Sequence, residues 1–198
     1  MAPKLYFLGT GGSADVRGLL SEGGFLIKTE KAVLHVDPGP GAAVALGSAK
    51  IKPTGVLIAH PDRGHDADLV KAEHVDKQHG DIEVFKKEKG VVFRLPECKI
   101  SYITHKLSVK EMANYAADVL VLSVHDNSEK LITKLKPKLT ILTCFDLSMH
   151  NKNPVYIARD LQKATGIQTI AAEDGLTVDL YSYSALPEQK SLKKFTGE

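Results

Sequence analysis

Short apolar runs, separated by glycine, proline and charged clusters, dominate the chain. Lys4 to Leu8 is the first, and it stops at Gly9-Thr10-Gly11-Gly12, the mark of a turn or of two backbones in close approach. Phe25 to Lys28 and Ala32 to Val36 read as the two strands of a hairpin through Thr29-Glu30-Lys31. The second of them ends hard at Asp37-Pro38-Gly39-Pro40-Gly41, before a short helix over Ala42 to Leu46. Thr54 to Ala59 contains a buried-type strand that ends at His60. Asp66 or Asp68 is placed to cap a helix through Leu69 to Glu73. Ile82 to Phe85, Val91 to Leu95 and Lys99 to Thr104 come next as strands, the last ending at His105.

In the second half, strands and helices alternate. Val109 to Tyr115 reads as a helix, Asp118 to Val124 as a strand ending at His125, and Ser128 to Leu135 as a helix closed by Lys136-Pro137. Leu139 to Thr143 is a strand ending at Cys144, and Val155 to Thr165 an amphipathic helix with Gly166 as its stop. Gln168 to Ala172 and Leu176 to Tyr181 read as a closing hairpin around Glu173-Asp174-Gly175. Antiparallel strands early and strand–helix alternation late predict a mixed α/β domain with helices covering sheets. The strands end repeatedly on Asp37, His60, His105, His125, Cys144 and Asp174. If those ends converge, a rigid scaffold presents them in one cleft.

Composition narrows the function classes. At 198 residues the chain has room for one domain, expected over 1–186 with a polar, lysine-rich tail over 187–198. With 26 basic and 24 acidic residues the net charge is +2, which argues against nucleic acid as a partner. Arginine stands only at Arg17, Arg63, Arg94 and Arg159, and lysine is a poor bidentate reader of phosphate. Two cysteines are too few for a disulfide framework. No apolar run is long enough to cross a membrane, and the opening Met1-Ala2-Pro3-Lys4 leads straight into a strand. A cytoplasmic protein without a signal peptide is expected.

The sharpest segment is His60-Pro61-Asp62-Arg63-Gly64-His65. Imidazole nitrogen and carboxylate oxygen both bind zinc, and three protein ligands plus water make a catalytic zinc site. A loop of this composition can wrap one small cation, or it can be a polar loop whose side chains cap the next helix. Gly9-Thr10-Gly11-Gly12-Ser13-Ala14 after a strand also fits G-x-G-x-x-A, a dinucleotide fingerprint, but only if a helix comes directly after it. Gly18, Gly23 and Gly24 argue against that helix.

Several motifs together resemble the metallo-β-lactamase superfamily of hydrolases, and best an archaeal-type branch of uncharacterised members. They are Leu8-Gly9-Thr10-Gly11-Gly12, Gly23-Gly24-Phe25-Leu26, Val36-Asp37-Pro38-Gly39-Pro40-Gly41, His60 to His65, Lys99 to His105, Lys136 to Phe145 and Ala171 to Gly175. The resemblance implies a four-layer αββα sandwich. It places His60, Asp62 and His65 in the metal loop, His105 where a metal-bridging aspartate stands, and Cys144 where a Thr-His pair stands. It gives Asp37 the role of supporting the metal loop from behind, alongside its plain role of organising the Pro38–Gly41 turn. Asp174 becomes a turn residue directed at the cleft.

The departures from the family pattern bear on function. Asp62 replaces the middle histidine of the loop, and Gly64 replaces its aspartate. Ile82 to Arg94 holds no histidine where a further ligand is usual. Paired zinc ions lower the pKa of a bridging water, and glycine supplies nothing to hold it. The implied protein is therefore a diverged member whose two-zinc centre is largely lost. It keeps weak or altered binding of one zinc or other divalent metal through His60, Asp62, His65, His105 and Cys144, or it binds none and serves a small molecule or protein partner. An active metal-dependent hydrolase of phosphodiester or ester type with rearranged ligands is the alternative, and a nucleotide-binding α/β protein the second. Assembly as a homo-oligomer stays open. His125 and His150 read as polar loop residues, His74 and His79 as solvent-facing on a helix and its exit, His35 as outward-facing, and Cys98 as structural.

Overall fold

The computed structural model describes residues 2–16, 19–59 and 70–184. Alternating burial sorts its strands into two sheets. The first has the order β13-β1-β2-β3-β4-β5: β1 (Lys4–Phe7), β2 (Phe25–Lys28), β3 (Val33–Val36), β4 (Gly55–Leu57), β5 (Glu73–His74) and β13 (Thr177–Asp179). β13, β1, β2 and β3 pair antiparallel, and β3, β4 and β5 pair parallel. The second has the order β12-β11-β10-β9-β8-β7-β6: β6 (Gln78–His79), β7 (Ile82–Lys87), β8 (Gly90–Arg94), β9 (Lys99–Ile103), β10 (Val119–Ser123), β11 (Leu139–Thr143) and β12 (Thr169–Ala171). β9 to β12 are parallel, and the β6-β7-β8-β9 side is antiparallel.

The helices are α1 (Ala42–Ala49), α2 (Val109–Met112), α3 (Ser128–Leu135), α4 (Leu147–Asn151), α5 (Pro154–Thr165) and α6 (Leu180–Ser184). Three apolar clusters define the layers. Leu5, Phe7, Phe25, Ile27 and Leu34 of the first sheet meet Val84, Phe93, Ile100, Val121 and Ile141 of the second in one buried core. On the outer face of the second sheet, Ile103, Leu120, Leu122 and Leu142 pack against Met112 of α2, Leu131 and Ile132 of α3, and Ala158 of α5. On the outer face of the first, Leu26 packs with Leu46 of α1, Leu8 and Val70. The result is a four-layer αββα sandwich. Every residue of β10 and β11 is buried, as parallel strands covered on both faces require. No helix among the described residues is long and apolar enough to cross a membrane.

Four sequence expectations need correction. The expected closing hairpin does not form, because β12 pairs with β11 in the second sheet and β13 with β1 in the first. The chain crosses between sheets at Ala172 to Leu176 instead of turning back. Residues 70–73 are not helical, and the stretch from 73 to 79 forms the short strands β5 and β6. Val75 N–H donates to the Val56 carbonyl, which continues the pairing with β4. His79, expected in solvent, is largely buried beside the Thr54 hydroxyl at 2.8 Å and Glu73 at 3.6 Å. His35 does lie on the outer face of its sheet, opposite Leu26, but that face is covered. The imidazole is fully buried, its Nε2 2.7 Å from the Gly23 carbonyl.

Two outcomes for stability can be measured. Gly24 and Gly166 both have left-handed backbones, at φ +67° and +71°. A Cβ at Gly24 would lie 2.2 Å from the Val36 carbonyl oxygen, whereas one at Gly166 meets nothing within 4 Å. Chemical denaturation should therefore show Gly166→Ala losing about 1 kcal/mol and Gly24→Ala about 3 kcal/mol or more. Glu111 forms a capping box with Ser108 at the start of α2 and an ion pair with Lys89 at 2.9 Å. The hydrogen bonds from Ser108, then the one from Lys89, pull its carboxyl down from 4.5 to about 2. A depressed carboxyl stabilises the fold fully above its unfolded value and loses that contribution as pH falls toward 2. The stability gap between the natural protein and Glu111→Gln should thus be constant above about pH 5 and close between pH 4.5 and 2.

Candidate functional site

Strand ends from the two sheets meet at one buried hydroxyl. Tyr102, on β9, points into the core between the sheets and is edge-on to Phe25, with ring centroids 5.1 Å apart. Its Oη lies 3.5 Å from Cys144 Sγ, just past β11, and hydrogen-bonds the Asp37 carboxylate, just past β3. An ionised carboxylate only accepts, so the Tyr102 hydroxyl donates to Asp37 and the Cys144 thiol faces the tyrosine oxygen as donor. Burial, with Cys144 and Asp37 beside it, holds Tyr102 well above the ordinary tyrosine pKa. It stays a neutral hydrogen-bonding bridge.

Asp37 is buried and adopts a left-handed backbone at φ +51°. Its Oδ1 accepts from the Ala59 N–H at 2.6 Å, and its own N–H donates to the Leu57 carbonyl. It therefore ties the end of β3 to the chain leaving β4. Asp174 performs a similar tie elsewhere. One of its oxygens accepts from both the N–H and the hydroxyl of Thr10 at 2.8 Å, and the other from the Ser21 N–H at 2.8 Å. The glycine run belongs to the same frame. A Cβ at Gly12 would lie 2.2 Å from the Cys144 carbonyl oxygen, and one at Gly9 2.3 Å from that of Ser21. These glycines allow backbones to touch. They lead into a single turn of 3-10 helix, Ala14–Val16, not the helix that a dinucleotide fingerprint needs.

The remaining strand-end residues separate. His105 is exposed, its Nδ1 3.1 Å from the Thr104 hydroxyl. His125 is half-buried, its Nε2 3.3 Å from the Thr104 carbonyl oxygen. The two imidazoles thus flank Thr104 at the ends of the neighbouring strands β9 and β10. Sequence reasoning sets His125 aside, although it ends an apolar strand just as His105 does. Cys144 is half-buried at φ +58°. Cys98 sits at the opposite end of β9, packed against the inter-sheet core, and burial pushes its thiol up to about 11. That suits a structural residue. His60, Asp62, Gly64 and His65 lie in 60–69, outside the described residues. Among the described residues, no three His, Cys, Asp or Glu side chains gather as a metal site. His105 and Cys144 do not make a ligand set with their described neighbours. The described donor set does not fit a two-zinc centre.

No family model matches the sequence. An uncharacterised protein of Methanocaldococcus jannaschii is 40% identical over 77 residues, which are 35% of this chain and 29% of that protein. The match thus spans less than a third of that relative's length. Among solved structures, the metallo-β-lactamase fold protein YhfI of Bacillus subtilis superposes with a TM-score of 0.67, over 90% of this chain and 99% of its own, at 12% identity. Igni18, a metallo hydrolase of the hyperthermophilic archaeon Ignicoccus hospitalis, does so with a TM-score of 0.66, over 90% and 98%, also at 12% identity. At such identities the likeness is one of architecture. The chain has the metallo-β-lactamase fold.

Proposed function

We propose that this chain is a diverged metallo-β-lactamase-fold protein whose two-zinc hydrolase centre is largely lost, and whose strand-end cleft binds a ligand with one altered metal or none. The observation that carries the reading is the state of the second sheet's strand ends. His105, in the place of a bridging carboxylate, is exposed and turned to Thr104. Cys144, in the place of a ligating histidine, is engaged with a buried tyrosine. A bridging hydroxide needs a carboxylate to orient it, and neither His105 nor Gly64 supplies one.

Zinc, if bound, supplies Lewis acidity and an activated water. What the chain's own residues do is positional. Asp37 fixes the departure of the chain from β4, Tyr102 fixes Asp37 against Cys144, and Asp174 fixes the 10–21 segment beside them. The cleft keeps its frame while its ligand set has changed. A second reading, an active metal-dependent hydrolase with rearranged ligands, draws support from Igni18 being a metallo hydrolase. It also draws on His60, Asp62 and His65 being side-chain types that bind zinc.

Elemental analysis of protein purified without added metal should find clearly fewer than two metals per chain. Two stoichiometric zincs that survive dialysis would overturn the proposal. Turnover of a generic phosphodiester with added zinc or manganese, abolished by His65→Ala, would establish the second reading in its place.

A further inference from the structure

A pocket of about 240 Å³ lies beside the strand ends, between Thr10, Leu19 and Leu20 on one side and the start of α5 on the other. We infer that it is a binding site for an uncharged aromatic ring bearing an amino group, a group of nucleobase size. The inference does not depend on the metal reading, since none of the residues it uses is a candidate ligand.

Size comes first. Sites for drug-sized ligands run from roughly 300 to 1,000 Å³, so this one suits a single ring system. Next comes the lining. Leu19 and Val155, 59% and 51% exposed, stand at it, and Phe145 and Pro154 add apolar surface. Two large aliphatic side chains left in water at one pocket are a surface that a flat apolar group would cover. The polar lining selects among such groups. Its described lining carries two carboxylates, Glu173 and Asp174, and one imidazole, His150. Both Asp174 oxygens already accept hydrogen bonds from Thr10 and Ser21, whereas Glu173 is exposed, so Glu173 is the carboxylate more open to a ligand. The Asn153 side-chain oxygen accepts from the Val155 N–H, so the side chain offers a ligand its NH2 group. An acceptor carboxylate and a donor amide match an exocyclic amino group next to a ring nitrogen. A phosphate or a carboxylate would meet Glu173 as a like charge.

The pocket is also held in shape before any ligand arrives. Asp174 clamps Thr10 and Ser21, the Phe145 N–H donates to the Thr10 carbonyl, and the Asn153 N–H donates to the His150 carbonyl. Asn153 takes a backbone conformation unusual outside glycine, φ +61° and ψ +106°, and residues held that way concentrate at ligand sites.

The test is a titration of the full chain with adenosine, monitored by amide NMR, with benzoate and inorganic phosphate as parallel probes. Saturable shifts at Leu19, His150 and Val155 are expected, with a dissociation constant of about a millimolar. Neither benzoate nor phosphate should move the same signals. Val155→Asp places a carboxylate in the first turn of α5, where the helix tolerates it, so the variant stays folded. It should weaken adenosine about tenfold or more, and Glu173→Gln by several-fold, because buried apolar contact and a charge-assisted hydrogen bond are respectively lost. No saturation below about 10 mM, an equal response to benzoate, or undiminished binding by Val155→Asp would each overturn the inference.

Discussion

A hydroxyl placed in the middle of an apolar core costs free energy unless its hydrogen bonds are made, and Tyr102 sets that demand between the two sheets. Asp37 and Cys144 answer it from opposite sheets. Both do so from left-handed backbones, at φ +51° and +58°, each about 1 kcal/mol above the ordinary conformations. The surrounding structure holds them there. Asp37 is fixed by Ala59 and Leu57, and the chain at Cys144 is wedged against Gly12. One polar contact inside the core thus fixes where the ends of β3, β4 and β11 stand relative to each other. The candidate cleft inherits its geometry from that contact.

This arrangement separates scaffold from chemistry. Asp37, Asp174 and the glycines at 9 and 12 all serve backbone ties, which hold the frame whatever the cleft binds. Chemistry has to come from other side chains. On the second sheet His105, His125 and Cys144 stand at strand ends, and with the described residues around them they do not form a metal-ligand group.

Much of the fold is legible in the sequence. β2, β11 and α3 match their expected limits, and most other expected strands and helices differ by a residue or two, because alternation and capping are local signals. The closing hairpin fails for a physical reason. Glu173-Asp174-Gly175 is turn-like whether the chain folds back on its own sheet or crosses to the other, and only the available partner edge decides. His35 and His79 depart from expectation because alternation reports which face a side chain takes, not whether another layer covers it. At the site, the pattern of strands ending on polar residues picks out Asp37 and Cys144, which meet at Tyr102, but not that His105 and His125 stand apart at Thr104. The hydrogen bonding of Tyr102 is invisible, since an aromatic residue inside an apolar strand carries no local mark of a partner far along the chain.

The pairing of β1 with β13 carries a consequence for how the protein is made. Five of the first sheet's six strands come from the first 74 residues, yet its edge is closed by Thr177–Asp179, and Thr10 is held by Asp174, 164 residues away. As the chain leaves the ribosome, β1, β2 and β3 emerge early and must wait, with β1 offering an open edge and its apolar face uncovered. Long-range closure of this kind slows folding and prolongs the exposure of strand edges that invite association. The nascent N-terminal half is therefore the stage of synthesis at which this protein most needs shielding, and a chain stopped before residue 177 would leave that edge open for good.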